Sequence, residues 1–321
     1  MKRALITGAL GQDGTYLAEL LTEKGYEVNG IARAASTVHP RLYDWPKTAT
    51  MFLQNVLDLS GMQRVIEAVR PDEIYHLAAE SQVARSFREP LHAFDVIARG
   101  TLNLLEAVRH SGYQSKIYIA STSEMFGGMT SEPCNETTPF HPRSPYGCAK
   151  LAAHSLAVNY RESYRMFVCC GLLFNHESER RGEEFVTRKI TKGVARILAG
   201  EDVRPIRLGN LKAKRDWGYA PDFVKGMWMM LQQPEPDDYV LATGETRSIQ
   251  DFLNHAFGPP NDHIIENDPT LYRPAEVNVL VGDASKARER LGWKPETSFK
   301  DMVHRMVQHD TRLEALRAKG R

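Results

Sequence analysis

Tyr146 and Lys150 stand four residues apart behind Pro145, which suits the first turn of a helix, so both side chains fall on one helix face. An ammonium beside a phenol favours phenolate and draws the Tyr pKa down, which lets the pair take a proton from an alcohol while its hydride leaves for a nicotinamide. Hydride transfer requires no further acid or base, yet Glu124 follows an apolar strand pattern within Ser121-Thr122-Ser123-Glu124. Once an alcohol becomes a ketone, the neighbouring C–H turns acidic. A carboxylate in reach can take that proton as hydroxide leaves the next carbon, and the extra carboxylate therefore points to a dehydratase. Thr122 is placed to hydrogen-bond the oxygen being oxidised. Plainer readings compete: Glu124 pairing with Arg143, Thr122 bonding its own backbone, and a Tyr-x-x-x-Lys spacing that arises by chance.

The chemistry needs a nucleotide, and the start of the chain offers a place for one. Gly8-Ala9-Leu10-Gly11-Gln12-Asp13-Gly14 follows a first strand and opens a first helix, aiming backbone N–H groups at a pyrophosphate. Its spacing is G-x-x-G-x-x-G, and a glycine turn alone also serves as an ordinary strand-to-helix connection. Candidate cofactor contacts here are Gly8, Gly11, Gln12, Asp13 and Gly14. The end of the second strand lacks an acid for ribose hydroxyls and carries Arg33 instead, which favours NADP; the competing reading is a solvated surface arginine. Asp58 and Leu59, after the third strand, are placed to border the adenine. Leu77, Ala78, Ala79 and Ser81, after the fourth, are placed to run past phosphates and ribose.

Strand patterns near 3–7, 27–32, 51–56, 73–78, 116–121 and 167–173 alternate with helical ones near 13–24, 61–69, 98–110 and 146–163. Such alternation predicts an α/β fold, a doubly wound parallel (Rossmann) sheet with right-handed crossovers. Beyond Phe174 the pattern turns irregular, with helices near 184–199, 221–233, 248–257 and 298–316. We therefore divide the chain into a cofactor domain over 1–174, to which segments near 214–242 and 276–286 return, and a smaller, mostly C-terminal α/β substrate lobe over 175–321.

The 321 residues are 42% apolar and 25% charged, enough for a substantial core. Forty-one basic against forty acidic side chains leave a net charge of +1, which argues against general binding to nucleic acid or a membrane surface. No signal-peptide core or membrane-spanning run is evident. Cys134, Cys148, Cys169 and Cys170 lack metal-ligand spacing, so no metal is expected, and the reading is cytoplasmic.

Together these residues resemble the extended short-chain dehydrogenase/reductase family and, within it, the GDP-mannose 4,6-dehydratase group. The similarity runs through Thr7 to Gly14, Ser121 to Gly127, Pro142 to Gly147, Leu173 to Ser178, Phe185 to Lys189, Leu208 to Asn210, Lys214 to Gly218 and Tyr272 to Val277. The first and third blocks are widely shared among sugar-nucleotide enzymes, whereas Gln12-Asp13, Asn175 to Ser178 and Arg215-Asp216-Trp217 are far more particular. The resemblance implies that Thr122, Glu124, Tyr146 and Lys150 are catalytic and that His176 and Arg181 join Lys150 around NADP. It implies that Asn175, Lys189, Arg215, Arg273 and Glu276, with Ser81, Thr122, Glu124 and Tyr146, hold GDP-mannose or a closely related nucleotide sugar. The product implied is GDP-4-keto-6-deoxymannose, a precursor of 6-deoxyhexoses, and the assembly a homodimer or homotetramer.

Two departures stand out. Relatives commonly carry Arg-Arg-Ser-Ser in a loop that reaches a neighbouring subunit, where this chain has Arg33-Ala34-Ala35-Ser36, so the dimer is the firmer expectation. Glu179 replaces a usual Pro beside Arg180-Arg181, where it is expected to weaken positive potential toward the cofactor. The rivals are a nucleotide-sugar reductase or epimerase, for which Tyr146 and Lys150 suffice, and an NADP-binding regulator without turnover.

Overall fold

The computed structural model describes residues 1–33, 44–127, 133–200, 204–272, 277 and 279–319. The strands are β1 (Arg3–Thr7), β2 (Glu27–Ala32), β3 (Thr50–Leu53), β4 (Glu73–His76), β5 (Lys116–Thr122), β6 (Val168–Leu173) and β7 (Asn175–Glu177). They continue with β8 (Ile206–Leu208), β9 (Lys214–Tyr219), β10 (Asp238–Leu241), β11 (Thr246–Ser248), β12 (Ile265–Asn267) and β13 (Val279–Leu280). Helices are α1 (Gln12–Glu23), α2 (Leu59–Val69), α3 (Val83–Arg88), α4 (Pro90–Phe94), α5 (Gly100–Ser111) and α6 (Pro145–Tyr164). After them come α7 (Val186–Leu198), α8 (Ala220–Leu231), α9 (Ile249–Ala256), α10 (Ser285–Leu291) and α11 (Phe299–Lys319).

Alternation along β1 sends Ala4 and Ile6 to one face and Leu5 to the other, and all three are buried because helices cover both faces. The central sheet has seven parallel strands in the order β10-β6-β5-β4-β1-β2-β3. On one face Leu17 and Leu21 of α1 and Met227 of α8 pack with Tyr75 and Tyr118. On the other, Val65 of α2, Leu104 and Val108 of α5 and Ala157 of α6 pack with Ile74 and Ile117. Parallel strands bring the residues after β1, β4, β5 and β6 to a single edge. This is where a doubly wound sheet offers a crevice.

The second lobe has its own core. There β9 pairs parallel with β7 and β13 and antiparallel with β11, while Trp217 and Tyr219 pack with Ile190, Val194, Phe252, Met302 and Met306 from α7, α9 and α11. The chain recrosses between lobes: β9 leads directly into α8, which packs on α1, and β10 then extends the central sheet beside β6.

One stretch differs from the sequence reading. Helical structure starts at Val83 rather than near 98, running through α3, α4 and a π-helical turn, Asp95–Arg99, before α5. Pro90 and the short, broken pieces interrupt the 3.6-residue period on which the reading relied. Among the described residues no helix is long and apolar enough to cross a membrane.

Candidate active site

At the nucleotide end, Gly8 takes a positive φ of 70°, and a Cβ there would lie 2.8 Å from the Ala78 nitrogen, so only glycine lets the turn after β1 sit against the segment after β4. Gly11 caps α1 in extended conformation without a side-chain cap, which leaves the helix N-terminus to an external acceptor. Thr7 Oγ1 accepts the Ala78 N–H at 3.2 Å and lies 2.8 Å from Nδ1 of His76, whose burial holds its pKa down to about 3. A bare helix start, a glycine turn pressed on a neighbouring backbone and no side chain filling the cap position fit a dinucleotide pyrophosphate.

Gln12 and Asp13 turn from this helix start toward β7. Gln12 Nε2 donates to the His176 carbonyl at 3.1 Å, Ser178 Oγ donates to Gln12 Oε1 at 2.8 Å, and Asp13 Oδ2 lies 2.9 Å from His176 Nε2.

At the chemical end, β5 closes on Thr122, whose Oγ1 accepts the Glu124 N–H at 3.3 Å and starts a 3-10 turn, Ser123–Met125. Ser144 caps α6 by accepting the Gly147 N–H at 3.0 Å, with Pro145 in the first turn. A Cβ at Gly147 would lie 2.9 Å from the Glu124 carbonyl oxygen, so glycine brings α6 onto the turn that carries Glu124. Tyr146 is thereby buried beside both residues, close enough that the Thr122 hydroxyl and the Glu124 charge both act on its phenol. Ser86 Oγ of α3 accepts the Tyr146 N–H at 3.1 Å, a support from the helix that the sequence reading missed.

Burial pushes the Tyr146 phenol up to about 12, against the Thr122 hydrogen bond, and Glu124 pushes it the same way. This reverses the expected fall. Lys150 Nζ donates to the Ala120 carbonyl at 2.6 Å and sits 5.9 Å from the Tyr146 ring centroid, and its own burial lowers its pKa to about 8 against the opposing charge of Asp13.

A cavity of about 790 Å³ runs between the lobes. It gathers Asp13, Leu77, Ala79, Ser81, Thr122, Glu124, Tyr146, Lys150, Asn175, His176, Arg181, Lys189 and Arg215. Arg215 is held by Nη1 donation to the Val277 and Lys214 carbonyls at 2.6 and 2.9 Å. Neighbouring Asp216 accepts from the backbones of Thr243, Gly244 and Gly282, so within that sequence block it braces structure. Gly8, Gly11 and Gly14 of the turn after β1, and Ala78 packed against it, are not among the residues that line this cavity. Exposed Arg33 follows β2, and Asp58 caps α2 by accepting the Gly61 N–H at 3.0 Å, with Leu59 beginning that helix. Arg273, Glu276 and Ala34 to Ser36 lie outside the described residues. Asn210 and Tyr272, which fall within the similarity blocks without an assigned role, also line the cavity, as do Arg88 and Arg207, which nothing in the sequence distinguishes from surface arginines.

Arg180 and Arg181 do not act as one pair facing the cavity. Arg181 lines it, beside Glu177 at 3.2 Å, while Arg180 turns to Glu19 at 2.6 Å and over the Tyr16 ring. Glu179 accepts from Tyr16 and Tyr219 at 3.0 and 3.1 Å, so its charge ties α1 to β9. Arg188 of α7 braces the same loop by donating to the Glu179 and Arg181 carbonyls while gripping buried Asp310 of α11 at 2.6 Å.

Elsewhere, His154, Cys170 and Asp238 bring possible metal-ligand atoms within 4.8 Å of one another, but both Asp238 oxygens accept from Arg161, at 2.8 and 2.9 Å. A guanidinium fills the place of a cation.

The family model described as GDP-mannose 4,6 dehydratase matches residues 5–306. GDP-mannose 4,6 dehydratase 2 of Arabidopsis thaliana is 50% identical, covering 97% of this chain and 87% of its own. The GDP-mannose 4,6 dehydratase of Homo sapiens is 45% identical, covering 97% and 91%. Among solved structures, Thermus thermophilus UDP-glucose 4-epimerase, in complex with NAD, superposes with a TM-score of 0.85 at 26% identity over 96% of this chain and 98% of its own. With a Rossmann sheet, a cavity at its carboxyl edge and this similarity along nearly the whole length, the chain belongs to the GDP-mannose 4,6-dehydratase family.

Proposed function

We propose that this chain is a hydro-lyase that converts GDP-mannose to GDP-4-dehydro-6-deoxymannose and water, with NADP as its recycled cofactor. The observation that carries the reading is the shared cavity wall, which Thr122, Glu124, Tyr146 and Lys150 line together. Bound at the glycine turn, NADP supplies the acceptor and later the donor of one hydride. Arg33 after β2, with no acid beside it, supports the phosphorylated cofactor. We assign the cofactor domain to residues 1–174 together with α8 and β10.

Tyr146 takes the proton of the C4 hydroxyl, with Thr122 hydrogen-bonding that oxygen and the Lys150 ammonium stabilising the negative charge. The resulting ketone acidifies C5–H, and Glu124 removes that proton and delivers it to the C6 hydroxyl, which leaves as water. Once the hydride is returned at C6, Tyr146 gives C5 the proton it took from the C4 hydroxyl, so no net oxidation results. Asn175, Lys189 and Arg215 also line the cavity, where the two cations suit a diphosphate. Incubation with GDP-mannose and catalytic NADP, followed by mass spectrometry, should show loss of one water and no accumulated NADPH. A product of unchanged mass would favour an epimerase, and stoichiometric NADPH consumption a reductase.

We also propose a homodimer in a reducing, cytoplasmic compartment, consistent with four free cysteines. Leu91 and Phe94, 83% and 50% exposed three residues apart on α4, offer an apolar contact face. Sedimentation as a monomer at micromolar concentration would remove that assignment.

A further inference from the structure

We infer that Asp13 and His176 form a standing ion pair that latches the glycine turn to β7. The inference does not rest on the catalytic reading above.

Hydrogen-bond direction gives the charge state. His176 Nδ1 lies 2.8 Å from the Phe174 carbonyl oxygen, which can only accept, so Nδ1 carries a hydrogen. Nε2 faces Asp13 Oδ2 at 2.9 Å, while Gln12 Nε2 donates to the other carboxylate oxygen at 3.1 Å. A carboxylate that receives an amide on one oxygen, at the first turn of α1 where the helix dipole favours negative charge, retains its charge, and the ring nitrogen facing it carries the second hydrogen. His176 is then an imidazolium. Its ring stacks on Phe223 at 4.7 Å, and the pair is largely buried, with side-chain exposures of 11% for His176 and 21% for Asp13.

The surrounding charges agree. Around His176 are Asp13 of α1 and Arg181 of the following loop, and Asp13 raises the His176 pKa against burial. Around Asp13 are His176, Arg181, Lys150 and Tyr146 of α6, and Tyr118 of β5; the two cations His176 and Arg181 lower its pKa against burial. Lys150 faces Asp13 and also His76 of β4, which burial holds neutral. Together with the Gln12 bonds to the His176 carbonyl and Ser178, the pair fixes β7, and so cavity-lining Asn175, relative to the cofactor turn.

The test is nitrogen NMR of His176 in the wild type and in Asp13→Asn. In the wild type both ring nitrogens should read as protonated at pH 7, and in Asp13→Asn the ring should be neutral there. A neutral His176 in the wild type at pH 7 overturns the ion pair, and this measurement stands even if the variant fails to fold. Wild-type protein that never dehydrates GDP-mannose would refute the dehydratase reading and leave the NMR test of the pair intact.

Discussion

Glu124 distinguishes the proposed elimination from simple oxidation, so its replacement is the most informative single substitution. Glu124→Gln keeps the size and hydrogen-bonding capacity but cannot accept the C5 proton, and product formation should fall by on the order of 10²–10⁴ in an assay for the dehydrated sugar, with cofactor binding retained. Unchanged turnover would show that another group takes the proton. Thr122, Glu124, Tyr146 and Lys150 were legible in sequence because each pairing is local: a strand end for two, and one helical turn for the others. What sequence could not show is their electrostatic setting. The phenol is driven up rather than down because burial of the ring, joined by the Glu124 charge, outweighs the Thr122 hydroxyl and the Arg181 charge. Ser86, 60 residues from Tyr146, was equally out of reach because nothing in the spacing of a lone serine shows which helix start it will meet.

Among the elements, the strands of the central sheet and the helices that cover it were readable from period and turn signals, and α3 and α4 were not, because short broken helices carry little periodicity. The loop from Ser178 to Gly182 shows what tertiary contacts add. Glu179, expected to weaken the cofactor's positive surroundings, instead accepts from Tyr16 and Tyr219, while Arg188 holds the loop's carbonyls and reaches Asp310, 122 residues away. Arg188→Met should therefore strand a buried carboxylate and cost about 3–5 kcal/mol in urea unfolding. A cost below about 1 kcal/mol, the range of exposed pairs, would mean that Asp310 finds water or a proton instead.

For the whole molecule, function comes from the meeting of two lobes. The proposed cofactor turn and the proposed catalytic residues belong to the sheet, while Lys189 and Arg215 come from elements of the second lobe, and the cavity is lined from both. Spacing alone gives these two cations no role; the resemblance assigns them to the sugar nucleotide, and the fold brings both to the cavity wall. The central claim is that one hydride travels within a single bound sugar, from C4 to C6. GDP-mannose deuterated at C4, turned over with catalytic unlabelled NADP, should yield product carrying the deuterium at C6 in the same molecule. Deuterium in released NADPH, or product without the label at C6, would contradict the account.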